Sequence, residues 1–141
     1  MMSSVRRPTR WAFTMATLFV TVAACTPADR CATCGMKIDP ASPWVSSLTV
    51  NRRELSFDTP HCAFAAWRRA PADVSRARFR DYYSQVLEAA EEVRFVAGSD
   101  VVGPMGPDLV PVAAREASRF ARDHNGAPPR RAAEILAEEV P

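Results

Sequence analysis

The sequence contains no P-loop, no glycine-rich dinucleotide fingerprint and no Ser-His-Asp order, and it holds only 5 glycines in 141 residues. The common nucleotide-binding and serine-hydrolase chemistries are therefore without their residues. It lacks a second Cys-x-x-Cys pair, which a structural zinc site would normally want. No apolar run reaches the roughly 20 residues of a spanning helix. The body also lacks a basic excess: of 18 basic residues, Arg6, Arg7 and Arg10 fall in residues 1–24, which hold no acid, leaving 15 against 16 acidic. That excludes a basic nucleic-acid binder and assigns the positive charge to the leader. With 48% hydrophobic and 24% charged residues, the composition is globular rather than disordered, collagenous or multi-pass membrane. Eleven of the 12 prolines follow residue 24, which implies many turns and short elements.

The leader is informative in itself. MMSSVRRPTR is followed by WAFTMATLFVTVAAC, a basic start, an apolar run and small residues before Cys25. Val22-Ala23-Ala24-Cys25 resembles a bacterial lipobox, in which the chain is cut before the cysteine and that cysteine is acylated. Two or more acyl chains give lasting attachment, whereas one is marginal. The alternative is an uncleaved anchor with an incidental cysteine. Thr26 in place of an aspartate favours the outer membrane. Residues 1–24 are then a signal peptide, and the mature protein sits in an oxidising extracytoplasmic space. Lipidation removes Cys25 as a thiolate and leaves Cys31, Cys34 and Cys62. An odd thiol count cannot pair fully within the chain: one thiol stays free, or the set binds a metal.

Residues 25–43 read as a tether followed by an ordered cysteine-rich loop. Trp44 to Val50 is a strand, Asn51-Arg52 a turn, and Glu54 to Phe57 a returning strand. Asp58-Thr59-Pro60 signals a helix start, with an N-cap followed by proline at the first helical position. That helix carries Ala63, Phe64, Ala66 and Trp67 and stops at Pro71, and Ala77 to Ser84 is a further strand. Residues 44–86 thus form a strand-strand-helix-strand unit. Residues 87–141 repeat the order more faintly. Glu88–Glu92 is a turn or helical stub, Val93–Ala97 a strand, and Gly98–Pro107 a loop. Leu109–Ala113 is a strand and Ala114–His124 a helix, with Ala117, Phe120 and Ala121 on one face. Asn125-Gly126 stops the helix, and the tail after Pro129 is a short strand or helix. The fold class is α+β, two small units sharing one packed body.

Three segments can carry chemistry. In Cys31-Ala-Thr-Cys34-Gly-Met36, two thiols can face one small ion, with a thioether beside them. These soft donors favour Cu(I). A structural Cys31–Cys34 disulfide and a redox dithiol remain open, although Gly35, Pro40 and Pro43 argue against the helix on which redox pairs usually sit. In Gly103-Pro104-Met105-Gly106-Pro107, a methionine is held on a stiff loop, as a ligand or as filler. His61-Cys62 lies in the first helical turn, where the dipole can lower a thiol pKa and permit a secondary metal or redox role. The alternative is a buried Cys62 beside a surface His61. His124, at a helix end, suits capping. The segments around Arg68-Arg69, Arg76 to Arg80 and Arg130-Arg131 read as solvated faces or steering patches.

Taken together, the Cys25 lipobox, CATCGMKID, GSDVVGPMGP and AREASRFARDHNG resemble the NosL family, in order and over most of the mature chain. These are nitrous oxide reductase accessory lipoproteins regarded as copper chaperones. The resemblance implies a fold of two strand-strand-helix-strand units similar to the organomercurial lyase fold. It implies Cu(I) held by Cys31, Cys34, Met36 and Met105, with His61 and Cys62 outside the shared motif. It implies an upstream copper donor, a copper-receiving metalloenzyme such as nitrous oxide reductase, a lipid anchor at the periplasmic face, and no catalysis. HNG replaces the more usual HGG at the helix end. A thiol oxidoreductase, a mercury-active enzyme on the same cysteines, and a disulfide-stapled structural lipoprotein are the rivals, and Met105 separates them, since only a copper site needs it.

Overall fold

Asn51 and Arg52 both adopt positive φ, 48° and 65°, and this tight turn folds strand β1 (Ser46–Val50) back against β2 (Arg53–Phe57). The computed structural model describes residues 29–138; the leader, Cys25 and Thr26 lie outside the described residues. After β2 the chain enters helix α1 (Pro60–Arg69). Thr59 is its N-cap, accepting from the Cys62 amide at 3.3 Å, and Pro60 takes the first helical position. Pro71 opens a 3₁₀ turn, Pro71–Asp73, that delivers β3 (Val74–Arg80) to the free side of β1. β4 (Leu87–Ala89) pairs with β3, giving an antiparallel sheet in the order β2-β1-β3-β4.

The second half holds β5 (Val93–Val96) and β8 (Val110–Ala113) as an antiparallel pair. Between them lies a hairpin of two short strands, β6 (Val102–Gly103) and β7 (Gly106–Pro107). Helix α2 (Ala117–Asp123) follows, then a single antiparallel bridge from Arg130 to Phe95, then α3 (Ala132–Ala137). The element order is therefore strand, hairpin, strand, helix, bridge, helix. Gly126 lies where any Cβ would run into Cγ1 of buried Val96, so only glycine fits as the chain leaves α2.

Several sequence readings are corrected. The third strand starts at Val74 and ends at Arg80, because the Asp81 carboxylate accepts the Ser84 amide and closes a turn at 81–84. Of the segment Glu88–Glu92, read as a turn or helical stub, residues 90–92 are a turn, while Glu88 and Ala89 belong to the strand Leu87–Ala89, since the edge of β3 is open to it. The Gly98–Pro107 loop contains the β6–β7 hairpin. The second long helix begins at Ala117, not Ala114, and residues 114–116 form a turn. Of the two readings of the tail, strand or helix, the helix holds: α3, entered through the Arg130 bridge.

One core ties these parts together. Phe64 of α1 stacks on Phe79 of β3 at 5.2 Å and meets Phe95 of β5 edge-on at 4.9 Å; Phe79 and Phe95 are 4.7 Å apart. All three are buried, as are Leu48, Phe57 and Val93 around them. Burial of each such ring contributes about 2–3 kcal/mol before entropy is counted, and the edge-to-face geometry adds about 1 kcal/mol. A second cluster, Trp44 with Val96, Val110, Val112 and Phe120, packs α2 onto the β5–β8 pair.

Candidate metal centre

The segment 29–38 forms a small hairpin across the end of β2. Arg30 bridges Lys37, the Cys31 amide donates to the Met36 carbonyl at 2.8 Å, and the Ile38 amide donates to Asp29 at 2.8 Å. Gly35, at φ 75°, turns the chain and donates back to the Cys31 carbonyl at 2.9 Å. The Ala32 amide binds the Ser56 carbonyl of β2 at 3.0 Å, and the Thr33 hydroxyl donates to the Cys62 carbonyl at 2.8 Å. Two hydrogen bonds thereby pin the loop to β2 and to the first turn of α1.

This seating brings four side chains together. One donor atom from each of Cys31, Cys34, Asp58 and Cys62 lies within 4.8 Å of the others. Cys31, Asp58 and Cys62 are buried and Cys34 is exposed. The Cys34 thiol donates to both Asp58 carboxylate oxygens at 3.6 Å. All three cysteines are free thiols. Burial pushes the Cys31 thiol above its ordinary value, and the neighbouring Asp58 side chain adds to the effect. Burial also pushes the Cys62 thiol well up, against the pull of the Thr59 hydroxyl. The helix start, expected to lower Cys62, is overridden because burial disfavours the thiolate more strongly.

His61 and Cys62 are adjacent in sequence but part company here. His61 is exposed, and its amide donates to the Asp108 carboxylate at 3.1 Å. Cys62, set aside with it as a secondary pair, stands beside Cys31 and Cys34 instead. Asp58 was read only as a helix-start residue. Thr59 takes the cap, which frees the Asp58 carboxylate for the cysteines. The available signal was the run Asp-Thr-Pro-His-Cys, an acid held at the mouth of a helix whose third residue is a thiol. With Asp58 and Cys62 included, the donor count that a second cysteine pair was wanted for reaches four.

The two methionines are exposed. Met36 is 44% and Met105 57% exposed, an unusual state for thioethers that otherwise fill cores. Met105 occupies the turn between β6 and β7. Asp108 fixes this hairpin by accepting from the amides of Leu109, at 2.6 Å, and of His61, at the start of α1. Burial raises the Asp108 carboxyl despite those bonds. A cleft of about 110 Å³ is lined by Met36, Asp58 and Pro104, so the residue next to Met105 faces the same opening as the cysteine loop. His124 ends α2 as expected of a capping residue, with Nδ1 2.8 Å from the Asp100 carboxylate and its ring stacked on Phe120. The three thiols cluster with Asp58, which shares its cleft with Met36 and Pro104. Thiols, with thioethers available nearby in the fold, are soft donors that favour a soft ion over Mg²⁺ or Ca²⁺.

The family model for NosL matches residues 22–140. Among solved structures, the chain is similar to the copper chaperone NosL from Shewanella denitrificans. The two share 19% identity with a TM-score of 0.61, over 74% of this chain and 89% of that one. At this identity the likeness establishes the fold. No curated protein matches.

Proposed function

The chain belongs to the NosL family, and from that premise we propose that it is a lipid-anchored, extracytoplasmic Cu(I) chaperone that takes copper from an upstream donor and passes it to a metalloenzyme such as nitrous oxide reductase. It is a carrier and not an enzyme. The observation that carries the reading is the convergence of Cys31, Cys34 and Cys62 with Asp58, whose carboxylate also lines a cleft with Met36 and with Pro104, the neighbour of Met105. The solved relative, named a copper chaperone, has the same fold.

Exposed Cys34, Met36 and Met105 meet the incoming ion. Buried Cys31 and Cys62 hold it away from water once they give up their protons. A client ligand entering from the rim displaces the thioethers first and takes the ion stepwise. Asp58 accepts the Cys34 thiol proton and orients the sulfur toward the group. The Cys25 lipid places the protein at the periplasmic face of the outer membrane, and the two halves of the fold are read as related units like those of the organomercurial lyase fold. No part of this involves nucleic acid.

Anaerobic Cu(I) titration of the reduced chain against a competing chelator tests the proposal, with Met105→Ala and Cys31→Ser/Cys34→Ser alongside. Tight binding weakened by both variants is the expected result. Binding indifferent to Met105 means a cysteine-only metal or redox site, and no binding returns the structural lipoprotein.

A further inference from the structure

The arginines of β3 are unused by the metal centre. Alternation along β3 sends Ala77 and Phe79 into the core and Arg76, Arg78 and Arg80 to the opposite face. The register confirms the face. Arg76 lies opposite Thr49 and Arg78 opposite Ser47 on β1, which in turn face Glu54 and Ser56 on β2. Arg78 reaches across β1 to pair with Glu54 at 2.7 Å. α1 packs on the other side of this sheet, through Phe64 on Phe79. Among the described residues, the Arg80 side chain has no ion pair or hydrogen bond, and the Nε groups of Arg78 and Arg80 are buried without a partner. The strand face carries three positive charges against Glu54, and the adjoining hairpin stem, Asp29, Arg30 and Lys37, adds one more net positive charge.

The position of the tether gives this face its partner. Arg80 and Asp29 line one cleft of about 350 Å³ together with Ser56 of β2. Asp29 is four residues from Cys25. Four extended residues span at most about 14 Å, little more than the screening length of roughly 8–10 Å at physiological salt. A lipid on Cys25 therefore holds the Asp29 end, and the arginines beside it, within the field of the bilayer surface.

We propose that the Arg76-Arg78-Arg80 face of the sheet docks on anionic phospholipid headgroups of the membrane to which Cys25 is anchored. The proposal rests on the lipoprotein reading of Cys25. Arg76 is exposed and Arg80 half-buried, and among the described residues neither side chain has an ion pair or hydrogen bond, so their terminal guanidinium nitrogens rather than the buried Nε groups suit phosphate oxygens. Each net positive charge at an anionic surface favours the docked state about fivefold, so the three here favour it about a hundredfold. Docking fixes one face of the carrier to the bilayer and restricts the directions from which partners approach.

The full chain, purified and reconstituted into vesicles of phosphatidylcholine alone or mixed with phosphatidylglycerol, provides the test. Phenylglyoxal modification at Arg76, Arg78 and Arg80 is read by mass spectrometry against Arg122 of α2, which is exposed. The expected result is a more than tenfold slowing at the three arginines in anionic vesicles only, reversed by high salt. Equal rates in both vesicle types overturn the proposal. Protection that appears only on adding an acidic protein also overturns it and transfers the face to a protein partner. Intact mass of the same preparation reads acylation of Cys25 separately. An unacylated chain that still shows protection sinks the lipid anchor and keeps the headgroup face.

Discussion

Cys62→Ser changes one atom in a buried site and isolates the contribution of that thiol to copper binding. Each thiol that becomes a ligand below its pKa releases one proton, so it adds one unit to the slope of log affinity against pH. Burial raises both Cys31 and Cys62 above the ordinary thiol value of 9.0. Both therefore enter binding protonated across the range from pH 6 to 8. Together they contribute a slope of two, a loss of about ten-thousandfold from pH 8 to pH 6. In Cys62→Ser that contribution falls to one, or about a hundredfold over the same interval. Cys34 is common to both proteins and drops out of the comparison. The sign reverses for the metal-free chain. Above 9.0 the unfolded state ionises these thiols before the folded state does, so raising the pH through that range costs stability. The assay is chelator competition at several pH values under anaerobic conditions, with circular dichroism to show that the variant keeps its fold. An unchanged slope in Cys62→Ser would falsify the placement of Cys62 among the ligands.

Asp81 is 1% exposed and accepts from the amides of Ser84 at 2.8 Å and Ala113 at 2.6 Å, joining the end of β3 to β8. Asp81→Ala should cost about 3–5 kcal/mol, from two charge-assisted bonds and an orphaned amide, measured by urea denaturation; a loss under 1 kcal/mol refutes it. Burial raises the Asp81 carboxyl, but the amide bonds outweigh it and hold the group below its ordinary 3.8. Its stabilisation is thus full above that value and fades as the pH falls through the folded one, and Asp81→Asn should flatten this acid limb in pH titrations. Gly126→Ala drives a Cβ into Val96 and should cost about 1–3 kcal/mol in chemical denaturation; a neutral result would mean the α2 exit is pliable. Thr59→Ala removes the cap of α1 and should cost about 1 kcal/mol, with weaker Cu(I) binding because Cys62 sits in that turn; unchanged affinity would separate cap from site.

Local chemistry in this sequence was readable where one or two residues dictate it. Asn51-Arg52 makes its turn through positive φ at both positions, and Thr59-Pro60 starts α1 because a hydroxyl cap and a fixed φ leave little choice. The three-residue strand β4 and the bridge at Arg130 carry no local signal, since they exist only where β3 and β5 offer an edge. The candidate metal centre divides in the same way. Cys31 and Cys34 announce themselves by spacing. Cys62 joins them because Thr33 binds its carbonyl, a contact across 29 residues that no spacing rule contains. Asp58 was hidden by its second plausible role, since an acid before a helix reads as a cap until the neighbouring threonine is seen to take that position.

The Phe64, Phe79 and Phe95 contacts have a thermodynamic consequence. Each ring comes from a different part of the chain, α1, β3 and β5, and none can be withdrawn without opening the others. Melting is therefore expected to run as one transition, and the first turn of α1, with Cys62 and Asp58, cannot loosen ahead of it. An ion held there weighs on the unfolding of the whole chain. At a thousandfold excess over its dissociation constant, a ligand bound only by the folded state adds about 4 kcal/mol, an upward shift of the melting temperature on the order of 15 °C for a chain of this size. If the chain is the carrier proposed above, its melting curve is a thermometer for its cargo, and handing the ion to a client would return it to its lower, empty midpoint.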